Sequence, residues 1–381
     1  MDRRIFLAAT LAGLAAPAFA RAQQRKPSRT RWKVRASEGF DALAFLGPLA
    51  GRALYLTYYQ ADVDAFAPRL PEAVRSDIAA LWQEAEKAGF GLLGPSASVL
   101  FSGHDGSIAA LIAAAASPET ALLPAYRQSS YWSESDWRWF TGAAPRLKAV
   151  FEAMQAAGFA AFRAERAAGL DARIAELTRD LAAYDVISLQ EKLTGRTFDP
   201  GIEVVLLQFC KPHGIKVQGQ TFLQAADWNT AITVRNAAHE MLHPPVPMDG
   251  AAAKAALALL AKDDLIARIV REHDPQWGYT TLEGLLNEDL TQALDQLIGE
   301  ALGVGRNPAD RWRQSDDGIH VLAGAFYGMF RDDKWIETGG SIEAWLARAA
   351  ETGRLAPARL HAVAARVLER PATSLWPVPK V

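Results

Sequence analysis

An α+β architecture is what this 381-residue chain implies, divided into a mixed, sheet-containing N-terminal lobe over residues 23–243 and a helical C-terminal lobe over 244–381. Three observations lead there. Apolar runs of strand length, the strongest being Ile202 to Phe209, all fall before residue 225. From Ala251 onward the apolar residues recur at helical spacing. Between these regions, Asn229 and Thr230 offer caps to a helix that runs into Pro244 and Pro245, so one helix sits at the junction of the lobes.

The elements follow in order. Lys33 to Arg35, Ala53 to Tyr59 and Ala97 to Phe101 read as short strands, being rich in Val, Leu, Tyr and Phe. Pro71 to Ala88 reads as an amphipathic helix carrying Val74, Ile78, Leu81 and Ala85 on one side, and Ile108 to Ala116 as a buried helix of small residues. Three helical patterns follow, over 144–157, 158–168 and 171–193. Residues 194–201, with two glycines and a proline, break the pattern before the Ile202 strand. Ile215 to Val217 and Thr221 to Leu223 are further strands. The junction helix starts near Asn229, and the two prolines stop it at or near His243. Ala251 to Arg271, Thr280 to Ile298, His320 to Phe330, Ile342 to Ala350 and Arg359 to Leu368 complete the helical half.

The first 22 residues have the make-up of an export signal. Arg3 and Arg4 precede an apolar run from Ile5 to Ala16, and Ala18-Phe19-Ala20 and Ala20-Arg21-Ala22 are small-x-small cleavage sites. Arg3-Arg4-Ile5-Phe6-Leu7 resembles the twin-arginine motif, which implies export in the folded state to the periplasm or beyond. The run is too short for a stable membrane anchor. Removing these residues takes the net charge from −2 to about −4, because three arginines and one aspartate leave with them. That mild acidity argues against a nucleic-acid partner. The sole cysteine, Cys210, follows an apolar strand and reads as a buried thiol.

His239-Glu240-Met241-Leu242-His243 carries the chemistry. On a helix, histidines four apart share a face and can hold one zinc ion, while the glutamate beside the metal can act as general base toward a water. A catalytic zinc needs a third protein ligand. No histidine lies in residues 244–272, and a downstream glutamate on a second helix is the other common third ligand. The helical stretch around residues 282–297 offers two. Leu282, Leu286, Leu290, Ala293 and Leu297 form its apolar stripe, with Glu283 at the edge of the stripe and Glu288 pointing away from it.

Asn287-Glu288 resembles the pair that carries the third ligand in gluzincins, the thermolysin-like HExxH peptidases. The resemblance implies a zincin-like fold with His239, His243 and Glu288 as zinc ligands, Glu240 as general base and a peptide or protein as substrate; Glu283 stays the alternative ligand. Where that family tends to carry an aspartate that orients a ligand histidine, this chain has Gln292. The segment Asp316-Asp317-Gly318-Ile319-His320 is similar to one that supplies an oxyanion-stabilising histidine. Carried over, His320 takes that part, with Asp316 or Asp317 fixing its tautomer, and Tyr327 is a weaker candidate for it. The resemblance is confined to short islands between about residues 229 and 330. An exported zinc-binding or structural protein without turnover, or an amide hydrolase acting on cell-wall material, are the rival readings. Of the remaining histidines, His273 is a fallback ligand. The aromatic run from Tyr131 to Phe140 either lines a cleft or packs within its own lobe.

Overall fold

Alternation along one strand organises the molecule, whose computed structural model describes residues 28–377. The strand is β2 (Gly201–Leu207), second in a four-stranded sheet that also holds β1 (Arg31–Ala36), β3 (Ile215–Lys216) and β4 (Thr221–Ala225). The order is β1-β2-β4-β3. β1 runs parallel to β2 from Arg31 opposite Gly201 to Ala36 opposite Leu206. β4 is also parallel to β2, and β3 closes the sheet antiparallel to β4. Successive side chains of a strand face opposite ways. Ile202, Val204 and Leu206 therefore enter one hydrophobic core, and Val205 and Leu207 enter another. Phe222 and Leu223 of β4 divide in the same way.

The core on the Val205 side is built by helices from the segment between β1 and residue 166, and the core on the Val204 side by residues 170–376. These two cores do not follow the division expected at residue 243, which concerns lobes rather than cores. The junction helix (Thr230–Glu240) shares its core with the helix Leu282–Ala301, so the sheet, not the chain position after His243, separates the two halves.

The N-terminal half is more helical than its composition suggests. Ala53 to Tyr59, expected as a strand, opens the helix Ala53–Phe66, which buries Tyr55, Tyr59 and Phe66. Ala97 to Phe101 is likewise not a strand, because residues up to Leu100 belong to the helix Leu93–Leu100. Burial against neighbouring helices overrides the β-preference of these aromatic and branched residues. The cause at the second site is close helix packing. A Cβ at Gly94 would lie 2.4 Å from the carbonyl oxygen of Leu43, in the helix Glu38–Leu49. Gly94→Val is therefore expected to destabilise the fold by about 1–3 kcal/mol, read as a lower midpoint in chemical unfolding; an unchanged midpoint would refute the contact.

Elsewhere the expected helices are present but differently divided. The pattern over 171–193 is two helices, Leu170–Leu181 and Val186–Thr194, separated where Asp185 caps the second through Ser188 N–H at 3.2 Å. Ala251 to Arg271 is also two helices, the second capped by Asp263. Cys210 is buried as expected, but it lies in the turn beyond β2, where Sγ donates to His213 O at 3.2 Å and burial pushes the thiol up. The aromatic run packs within its own half through Trp137 and Phe140. The export signal expected over residues 1–22 lies outside the described residues. No described helix is long and apolar enough to cross a membrane.

Candidate metal centre

The junction helix begins where expected, with the Asn229 side chain accepting from Ile232 N–H at 2.9 Å. It ends at Glu240, earlier than the prolines alone suggest. Met241 keeps a right-handed helical conformation, and Leu242 N–H still reaches His239 O at 3.0 Å. This extra turn brings His243 back over His239. The segment is held from outside as well. Gln190 donates to Ala238 O at 3.1 Å, Lys216 of β3 to His243 O at 2.9 Å, and Arg196 to Pro244 O at 2.5 Å. Gln190 satisfies a carbonyl that the helix end leaves free, and Lys216 and Arg196 fix the residues just beyond it.

His239 Nε2 and His243 Nε2 lie 3.1 Å apart. Glu288 completes a triangle, with Oε1 3.5 Å from His239 Nε2 and Oε2 3.4 Å from His243 Nε2. Tetrahedral ligands at about 2.05 Å from a zinc ion stand about 3.3 Å from one another, so these separations fit a metal. Among the described residues, this is the group of histidine, cysteine and carboxylate side chains close enough to share an ion. Glu283 is exposed in the first turn of its helix and takes no part.

The helix Leu282–Ala301 explains why Glu288 is the inward residue. Nearly every position from Leu285 to Gly299 is buried, polar ones included. The leucines face the core, and the opposite stripe of Glu288, Gln292 and Asp295, at i, i+4 and i+7, faces the junction helix and the Arg311 segment. Glu288 is 7% exposed and its carboxyl is held below the carboxylate range. Burial opposes that shift, but His239 and His243 outweigh it.

Asp295 performs the orienting role for which Gln292 stood in the expected place. Its Oδ2 accepts from His239 Nδ1 at 2.8 Å, which leaves the Nε2 lone pair pointing at His243 and Glu288. Asp295 is in turn bridged by both terminal nitrogens of buried Arg311. Gln292 donates to Glu288 Oε1 at 2.9 Å and accepts from Trp312 Nε1 at 2.8 Å. The sequence signal for Asp295 is its place one turn beyond Gln292 on the Glu288 stripe. His239 is held up at about 9: burial alone would lower it, but Glu288 and Asp295 outweigh burial. Asp295→Asn is expected to lower metal affinity about 10–100-fold, measured by competition with a chelator; unaltered affinity would remove Asp295 from the site.

Glu240 lies within the field of this cluster. Burial pushes its carboxyl up, opposed by His239 and His243 and aided by Glu288. Among the described residues none hydrogen-bonds to its carboxylate. Gly214, just ahead of β3, lies against it, since a Cβ there would be 3.6 Å from Oε1. Two hydroxyls feel the same charges. Burial and then Glu240 push Tyr131 up, and burial and then Glu288 push Tyr279 up. Tyr279 adopts a left-handed backbone, φ 56°, where a non-glycine residue is strained.

No family model matches the chain. Neither a curated protein nor a solved structure matches it.

His320 sits differently from its expected part. It is fully buried, with Nδ1 2.6 Å from Asp289 Oδ1 and Nε2 2.8 Å from Asp316 Oδ2. Burial would lower its pKa, but Asp289 and then Asp316 hold it up at about 10. Both N–H groups are thus engaged by carboxylates, and neither is free for an oxyanion. His320 positions the Glu288 helix instead, through Asp289. Asp316 is the aspartate it uses; Asp317 accepts from Trp277 Nε1. Tyr327 donates to Glu300 at 2.7 Å, and His273 contacts the carbonyls of Ile269 and Gly278, so neither belongs to the centre.

Proposed function

We propose that the chain is an exported zinc metallopeptidase of the gluzincin kind, acting on peptides or proteins outside the cytoplasm. The convergence of His239, His243 and Glu288 on one point, with Glu240 beside them, carries this reading. Two imidazoles and one carboxylate form a donor set suited to zinc with a position left for substrate. Held there, zinc supplies a Lewis acid that polarises the scissile carbonyl and acidifies a water.

The chain's own residues do the rest. Glu240 accepts the proton from that water and delivers it to the leaving amine, and its upward shift by burial brings it nearer the range useful for both transfers. Asp295 and Gln292 hold the ligands in place. β3 is the last strand of the sheet and leads from Gly214 past Lys216 beside Glu240. An extended substrate laid along it would cross the general base.

Turnover of a peptide library by the zinc-loaded protein tests the reading. It predicts cleavage that a chelator abolishes and added zinc restores. Cleavage indifferent to the chelator, or none at all, overturns it.

A further inference from the structure

A groove of about 630 Å³ opens beside His239, with Trp228, Ile232 and Trp277 among its walls. Three arginines also line it, Arg235, Arg306 and Arg311, against two carboxylates, Asp295 and Asp316. Both carboxylates are already committed. Asp295 is bridged by Arg311, and Asp316 is engaged by His320. Among the described residues no carboxylate is therefore left to form an ion pair with Arg235 or Arg306, although both lie in the field of Asp295. Arg235 spends one N–H on the Val304 carbonyl at 3.0 Å. Among the described residues none hydrogen-bonds to or ion-pairs with the guanidinium of Arg306.

The three guanidiniums also crowd one another. Burial and then Arg311 lower Arg235 from its ordinary value. Arg306 reaches solvent, yet desolvation by its neighbours and then Arg311 lower it as well, with Arg235 adding to them and Asp295 and Asp316 opposing. Two like charges kept together, with no carboxylate among the described residues bonded to either, suit an anion that arrives from solution.

We propose that Arg235 and Arg306 receive a carboxylate of the substrate, so that the enzyme prefers peptides bearing a negative charge close to the bond it cuts. The inference rests on the metallopeptidase reading. Arg235 precedes His239 by one helical turn, about 6 Å along the axis. At about 3.5 Å per extended residue, the carboxylate lies one or two residues from the scissile bond. A chain-terminal carboxylate and a Glu or Asp side chain offer the same chemistry, and the walls of Trp228, Ile232 and Trp277 suit the apolar part of the group that bears it.

The test compares matched peptides that differ only in one charge: free C-terminus against C-terminal amide, and Glu against Gln near the cleaved bond. Wild type is expected to favour the charged member of at least one pair by about tenfold in kcat/KM. The first pair reports a terminal carboxylate, the second a side chain. In Arg235→Gln and Arg306→Gln the charged-to-neutral ratio should fall towards one, and Arg306→Lys should restore part of it. Equal turnover of both members by wild type overturns the proposal, as does a ratio unchanged in both glutamine variants. Should wild type cut no peptide, the metallopeptidase reading fails, and calorimetry with N-acetyl-Ala-Glu still decides the anion site. Binding weakened about tenfold by either glutamine variant sustains it; equal binding by all three proteins overturns it.

Discussion

His239→Ala is expected to empty the metal centre. With one imidazole gone, His243 and Glu288 are left to hold the ion, and the remaining pair lacks the chelate geometry that three converging ligands provide. The loss should exceed the roughly 100-fold that disturbing an outer partner costs, so that protein freed of loosely bound metal by dialysis carries far less than one zinc per chain. Glu288→Ala should behave alike. Glu283→Ala should keep its metal, because Glu283 faces solvent a turn and a half away. Elemental analysis of the four proteins is the measurement, with circular dichroism to show that each has folded. Full stoichiometry in His239→Ala, or loss in Glu283→Ala, would dismantle the site as drawn.

Glu240→Gln should separate binding from chemistry. Glutamine has nearly the shape of glutamate but cannot accept a proton. Glu240 is not one of the three groups that converge on the metal position, so zinc should be retained in full. Turnover should fall by about 10²–10⁴-fold in kcat, the contribution expected of a positioned general base, with little change in KM. A variant that cuts as well as wild type would show that Glu240 takes no proton. Wild type that binds zinc and peptide but cuts nothing would instead support the exported binding protein.

The candidate site was legible where spacing and local chemistry suffice. HExxH names three residues, the caps at Asn229 and Thr230 place its helix, and Asn287-Glu288 marks the carboxylate that converges on its histidines. The apolar stripe around residues 282–297 misleads because it assumes one buried face. This helix is enclosed on all sides, so its polar stripe is also an inner surface, and Glu288 points into the molecule while Glu283 does not. Asp295 lay on that stripe and was readable only once the helix was known to be enclosed. The edge-to-face contact of Tyr279 with His320, with ring centroids 5.5 Å apart, joins residues with no local pattern between them. The fold was legible in its sheet and C-terminal helices. It was misread at Ala53 to Tyr59 and Ala97 to Phe101, where β-prone side chains are recruited into helices by a core that they share with distant residues.

The sheet carries a consequence for how the two halves hold together. Each residue of β2 from Ile202 to Leu207, Glu203 apart, belongs to one core or the other by turns. A slip of one residue would present each half with the other's side chains. Neither half can therefore rearrange its packing against β2 without disturbing its neighbour, although their helices scarcely share a residue. β2 acts as a common hinge pin of cooperativity: melting of the helices before residue 166 should be felt through β2 and β4 by the junction helix that follows β4, so the integrity of the candidate metal centre is underwritten by a layer of the molecule that supplies none of its three converging side chains.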